Sequence, residues 1–239
     1  MHRLPPSFWV SQVKPELRRV GTSQSPIVVI DEFSGSVEAI LAIAESLAPY
    51  PPHTNYYPGV RRVIGPRDRA AENYAREVCE RAAQFIAGAF DIDRFELLEA
   101  SFSIVCTDPA ELSAPQRAPH FDTTDPRHLA LLHYLRVPAN SGTAFYRQRS
   151  TGIERLTDDN LAMFVGAAQA HAAQLPTGTG YVSGSDEHYE EIGRVDARPD
   201  RLVIYHGSLL HSGIIPTDMK LSADPRDGRL TANLFVRGQ

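Results

Sequence analysis

The second half of the chain is cut into short apolar pieces, and that spacing restricts the fold more than any other feature. "RFELLEASFSIVC" (94–106), "LALLHYLRV" (129–137), "GTAFYRQ" (142–148), "RLVIYHG" (201–207) and "RLTANLFVRG" (229–238) are apolar or alternating, and each is bounded by Pro, Gly, Asp or Asn. Segments of that texture read as strands of an antiparallel β core. One helix interrupts them, "TDDNLAMFVGAAQAHAAQL" (157–175), with Asp158 or Asp159 available near its start. The Gly-rich "PTGTGYVSGSDEHYEEIG" (176–193) reads as a loop that becomes a strand near Tyr189–Val195.

The first half differs. "PIVVIDEF" (26–33) is dense in β-branched residues and reads as a buried strand. Ser36 can cap a helix whose apolar side is Val37, Ile40, Leu41 and Ala44, and the prolines from Pro49 onward stop it. "TNYYPGVRRVIG" (54–65) is aromatic, basic and turn-rich, and suits a loop or short hairpin. From Pro66 to about Phe90, Tyr74, Val78, Cys79, Phe85 and Ile86 recur at helical spacing, with Pro66 suited to the first turn of a long helix. No repeat, low-complexity run or linker divides the chain. The expectation is one domain over residues 1–239, with 1–95 as an N-terminal strand and supporting helices and 96–239 as the core.

Composition narrows the function classes. A hydrophobic fraction of 42% with 22% charged residues allows a sizeable core. The net charge of −5 argues against a general nucleic-acid surface. Two cysteines, Cys79 and Cys106, are too few for a disulfide framework and suit a reducing interior. The start "MHRLPPSFWV" has no apolar targeting segment, and no apolar run reaches the roughly 18 residues of a membrane span. A soluble, cytoplasmic protein is expected.

The chemistry concentrates in "PHFDTTDPRHLALLHYL" (119–135). Along extended backbone, residues i and i+2 point to one side. His120 and Asp122 can therefore aim an imidazole and a carboxylate at one point, with Phe121 turned away. His211, after a strongly apolar strand and before Ser-Gly, can supply a third ligand from a distant strand. Two histidines and one carboxylate occupy one face of an octahedral ion and leave the rest open, as in non-haem Fe(II) oxygenases. A His-x-Asp pair alone is more often a polar turn than a metal site.

Further residues extend the pattern. His120-Phe121-Asp122, "HYLRVPANSGTAFY", His211 and "GRLTANLFV" follow one another in the order and strand contexts of the iron(II)- and 2-oxoglutarate-dependent dioxygenases. Residues from about 119 to 238 resemble that superfamily, particularly its prolyl-hydroxylase-like branch. Uncharacterised bacterial chains with "YYPGVR" upstream and "YEEIG" before the distal histidine are also similar. The resemblance implies an α+β fold with a double-stranded β-helix core, a jelly roll of cupin-like form, and the N-terminal helices packed on one sheet. It implies Fe(II) held by His120, Asp122 and His211, and 2-oxoglutarate held by Arg229 and Tyr134. It implies hydroxylation of an unactivated C–H bond, with 2-oxoglutarate and O₂ converted to succinate and CO₂. The gap between His211 and Arg229 is wider than is usual in the family, the excess being the polar stretch "TDMKLSADPRDG". Arg226 and Arg237 are alternatives to Arg229.

Among other residues, Tyr57, Arg61 and Arg147 are substrate-contact candidates, with Arg149 on the same face as Arg147. His133 and His206 read as structural, and "SDEHYEE" as solvated loop charge or a substrate lid. No phosphate loop, nucleophile elbow or CxxC pair occurs. The expected substrate is a small molecule, amino-acid-like by preference, and the expectation includes neither nucleic acid nor membrane. Two other readings remain at this point: a cupin-like metal-dependent dioxygenase or isomerase that does not use 2-oxoglutarate, and a non-catalytic jelly-roll binding protein.

Overall fold

The computed structural model describes residues 14–52, 56–173 and 180–239. Its strands are β1 (Pro15–Val20), β2 (Ser25–Ile30), β3 (Gly59–Val63), β4 (Phe95–Val105), β5 (His128–Arg136), β6 (Gly142–Gln148), β7 (Tyr189–Asp196), β8 (Arg201–His206), β9 (His211–Ile214) and β10 (Arg229–Gly238). The helices are α1 (Val37–Ser46), α2 (Arg69–Phe90) and α3 (Leu161–Ala172). Seven strands form one antiparallel sheet in the order β1-β2-β8-β5-β10-β4-β3, and three form a second, β7-β6-β9. This is the double-stranded β-helix expected from the sequence, with α1 and α2 lying on the larger sheet.

The pleat divides each central strand between two layers. Leu129, Leu131 and Leu135 of β5, Leu202 and Ile204 of β8, and Leu230, Ala232 and Leu234 of β10 pack toward the helices. There they meet Ile40, Leu41 and Ala44 of α1 and Val78, Ala82 and Ile86 of α2. The alternate residues Ala130, Tyr134, Val203 and Tyr205 pack between the sheets with Phe145 of β6. Burial on both faces makes these strands read as nearly continuous apolar runs. The outer face of the smaller sheet is covered by Phe164 of α3, which packs with Ala144, Tyr146 and Leu156.

Helix starts differ from expectation. Helix α2 begins at Arg69, and Pro66 lies in the preceding turn, where Asp68 accepts from Gly65 N (2.9 Å) and from Arg62 (2.8 Å). Helix α3 begins at Leu161 behind Asn160; Asp158 instead takes the Thr124 hydroxyl at 2.5 Å. The C-terminal end expected for this helix, residues 174–175, lies outside the described residues. Ser36 holds the cap position of α1 without a side-chain capping bond. Within 54–65 the described residues give the edge strand β3, paired with β4. At its start Gly59 is obligatory, because a Cβ there would lie 2.0 Å from the Ile104 carbonyl oxygen. Among the described residues no helix is long and apolar enough to cross a membrane.

One buried polar node ties the layers together. His133, fully buried on β5, bonds through Nδ1 to the Tyr74 hydroxyl of α2 (2.8 Å) and through Nε2 to Asp200 (3.0 Å). Asp200, at φ 63° in the turn before β8, also accepts from Ser34 N, Ser34 Oγ and Gly35 N. Burial alone would raise the Asp200 pKa, but these donors outweigh it and bring it down to about 2. Because that value lies below the unfolded one, the stabilisation is complete above pH ~4 and is lost as pH falls through about 2. Asp200→Asn should therefore cost about 2–3 kcal/mol in urea unfolding at neutral pH, with the gap to wild type closing as the acid limit is approached.

Candidate metal centre

Two chain segments far apart in sequence meet through their backbones. His120 N donates to His211 O and His211 N to His120 O, both at 2.8 Å. Two residues on, Asp122 N donates to Gly207 O at 2.7 Å. A Cβ at Gly207 would stand 2.4 Å from His128 Nδ1 and 3.2 Å from Asp122 Oδ2, so any side chain here would displace the His128 ring and crowd the carboxylate. Between the two polar residues, Phe121 turns the other way and packs edge-on against Phe164 (5.7 Å, 87°).

The three side chains converge. One ligand atom each from His120, Asp122 and His211 lies within 4.8 Å of the others. The imidazole centroids are 4.3 Å apart, and His211 Nε2 is 3.9 Å from Asp122 Oδ1. A first-row ion with ~2.1 Å bonds needs adjacent ligands about 3 Å apart, a difference that small side-chain rotations absorb. His211 Nδ1 donates to the Leu209 carbonyl at 2.8 Å, which leaves Nε2 as the lone-pair atom facing Asp122. Tyr205 packs edge-on to the same ring at 4.9 Å.

Electrostatics match a site that takes a cation. Burial lowers the His120 pKa to about 4, and the neighbouring His211 imidazole adds to the effect. Burial lowers His211 likewise to about 4, against the Leu209 carbonyl. Burial raises the Asp122 pKa, partly offset by His120, His128 and Arg61. His120 and Asp122 keep accessible surface toward the cavity, while protein encloses their other sides.

That cavity measures about 760 Å³ and runs between the sheets. The alternate residues Arg229, Thr231, Asn233 and Phe235 of β10 line it. Arg229 is buried; its Nη2 donates to Gly142 O at 3.2 Å, while Nε has no partner among the described residues. Its guanidinium lies 5.7 Å from the centre of the Tyr134 ring. Tyr134 itself does not line the cavity; its hydroxyl bonds Thr143 Oγ1 (2.7 Å), and Thr143 does. Tyr57 and Arg61 line it too, Arg61 donating to Glu99 (2.5 Å) and Ser101 (2.9 Å).

Arg147 lies elsewhere. It binds Glu154 (2.5 Å) and Glu190 (3.0 Å), and the nearly buried Glu154 also accepts from Thr22 N and Ser23 N in the β1–β2 turn. Arg147 thus anchors a turn and is absent from the cavity wall. Arg149 donates to the Asp186 carbonyl, Arg226 pairs with Asp224, and Arg237 pairs with Asp125, so none of them lines the cavity. Asp186 caps its own turn, accepting from His188 N and Tyr189 N, while Glu190 and Glu191 pair with Arg147 and Arg194. His206 is buried edge-on against Phe90 (5.1 Å), apart from the three converging residues. Sequence reasoning missed Thr143, Asn233 and Tyr181 on the wall, and His128 beside Asp122. Alternation from Arg229 along β10 was a signal for Asn233; the other three had none.

Residues 11–236 match the model of a family described as "Family of unknown function (DUF6445)". No curated protein matches the chain. Among solved structures, the non-heme alpha-ketoglutarate-dependent epimerase SnoN from nogalamycin biosynthesis superposes with a TM-score of 0.53 at 15% identity, covering 90% of this chain and 79% of its own. HygX from Streptomyces hygroscopicus, with nickel and 2-oxoglutarate bound, gives 0.52 at 17% identity, covering 91% and 84%. These likenesses establish a shared fold.

The pKa directions give a testable pH profile. Near pH 7 both imidazoles are neutral and present lone pairs; only as pH falls toward about 4 do protons compete with a metal. Co(II) or Zn(II) affinity measured by calorimetry should stay nearly level from pH 8 to about 6 and fall steeply below about 5.

Proposed function

The chain belongs to the DUF6445 family, and we propose that it is a non-haem Fe(II)- and 2-oxoglutarate-dependent oxygenase that hydroxylates a C–H bond of a small molecule. The observation that carries this reading is the pairing of two features in one cavity: a two-histidine, one-carboxylate cluster and a buried arginine whose Nε has no partner among the described residues. The fold is that of enzymes whose structures hold Fe³⁺ or nickel with 2-oxoglutarate.

The residues fit both groups. His120, Asp122 and His211 offer three ligand atoms on one side of an ion and leave its other side to the cavity. Arg229 offers a planar guanidinium to the distal carboxylate of 2-oxoglutarate, in a two-pronged, charge-assisted bond. The Gly142 carbonyl and the Tyr134 face hold that guanidinium, and the Thr143 hydroxyl, steadied by Tyr134, stands on the same wall. Bound together, iron and 2-oxoglutarate supply O₂ activation, with release of succinate and CO₂. The protein's share is to fix the His211 tautomer, orient the cosubstrate and keep water out with Tyr205 and Phe235. No side chain needs to act as an acid or base.

Arg229 separates this reading from a cupin-like enzyme without 2-oxoglutarate, which has no use for a buried guanidinium on the cavity wall. Open coordination positions separate it from a binding protein. His120→Ala and His211→Ala should each weaken Fe(II) binding at least ten-fold in anaerobic equilibrium dialysis, and in aerobic assays should abolish 2-oxoglutarate-dependent succinate formation. Arg229→Ala should retain iron and weaken 2-oxoglutarate binding by ten-fold or more. Unchanged 2-oxoglutarate affinity in Arg229→Ala would refute the cosubstrate assignment, and product analysis distinguishes hydroxylation from epimerisation.

A further inference from the structure

Resting on the oxygenase reading, we infer that the part of the cavity left after metal and cosubstrate takes an uncharged, ring-bearing molecule, and that free amino acids are not its substrates. The argument is an inventory of charge and shape. Asp122, a metal ligand in that reading, is the single carboxylate on the described wall. The segments 1–13, 53–55 and 174–179 contain no Asp or Glu, so they add none. A substrate ammonium would therefore enter without a counter-charge. Enclosing an unpaired charge is heavily penalised.

An anionic head group fares little better. Arg229 is committed to the cosubstrate. Arg61 is held by Glu99 at 2.5 Å and Ser101 at 2.9 Å, with its guanidinium 5.7 Å from the centre of the Phe235 ring. The pair is already neutral, and an incoming carboxylate would have to displace Glu99.

What the wall does offer is aromatic surface and neutral hydrogen-bonding groups. Tyr56, Tyr57, Tyr181 and Phe235 contribute rings, and Tyr181 is fixed by its hydroxyl bond to the Thr107 carbonyl (2.7 Å). Burial pushes the Tyr57 hydroxyl up to about 12, so it stays neutral. Thr231 donates to Asn233 Oδ1 (3.1 Å) and Asn233 Nδ2 to Ser103 Oγ (3.3 Å). The amide keeps a second N–H and the Thr231 oxygen its lone pairs, a set that suits substrate hydroxyls or carbonyls. The volume of about 760 Å³ lies in the range of sites for drug-sized ligands, and 2-oxoglutarate fills only part of it.

A charge series on the naphthyl ring, with L-phenylalanine as the amino-acid probe, isolates the claim. 2-Naphthalenemethanol, 2-naphthoate, 2-naphthylmethylammonium and L-phenylalanine are titrated into the Zn(II)- and 2-oxoglutarate-loaded protein and followed by saturation-transfer NMR. The alcohol should bind at least ten-fold more tightly than either ion and than L-phenylalanine, without displacing 2-oxoglutarate. Tyr181→Ala, at the folded wild-type near-UV signature, should weaken it ten-fold. An ion or the amino acid binding as tightly as the alcohol overturns the inference, and so does an alcohol that fails to bind or is displaced by 2-oxoglutarate. Retention of metal and 2-oxoglutarate is read in the same samples, so loss of these, which sinks the oxygenase reading, is told apart from failure of the ring probe.

Discussion

Two backbone hydrogen bonds between His120 and His211, each 2.8 Å, bring the candidate centre into being. They join residues separated by four strands and a helix, and they set both imidazoles at one height in the cleft between the sheets. Asp122 then needs only extended backbone and the Gly207 carbonyl to swing its carboxylate to the same side. Everything else at the site is either a wall around this junction or a support for it. The larger sheet carries the helices on one face and the cavity on the other, so the hydrophobic layer that stabilises the fold also holds the cleft open.

The core was legible because burial on both faces turns strands into apolar runs that no other element explains. Strands β6 and β10 appear in the structure with the bounds read from sequence. Strand β1 was not legible, since "PELRRV" lies largely exposed at a sheet edge and carries no apolar signal. Strand β9 is only four residues long and gave none either. Helix starts were misplaced where competing side-chain bonds decided them, as with Asp68 and Asp158.

Arginines show the limit most clearly. Arg61 was read in a loop or short hairpin and Arg147 in a strand, both shortly after aromatic residues, and sequence offered no way to separate their roles. The structure sends Arg61 to the cavity wall and Arg147 to Glu154, a residue buried by a turn more than a hundred positions upstream. The strand start occupied by Arg229 was legible because "RLTANLF" has clear bounds, and the structure puts that residue on the cavity wall. Tyr134 kept its place beside Arg229 but lies behind Thr143, and such layering depends on how two sheets stack, which no local pattern encodes. His128 went unnoticed because its closeness to Asp122 arises only through the missing side chain of Gly207.

The contact between Phe90 and His206 has a reach beyond its size. Phe90 ends the long helix α2, and His206 ends β8 one residue before Gly207, whose carbonyl fixes Asp122. The helical layer is thereby coupled mechanically to the ligand segment on the opposite side of the sheet. A substitution at the buried end of α2, on the far side of the sheet from the cavity, can thus shift the segment that sets the Asp122 carboxylate in the candidate centre.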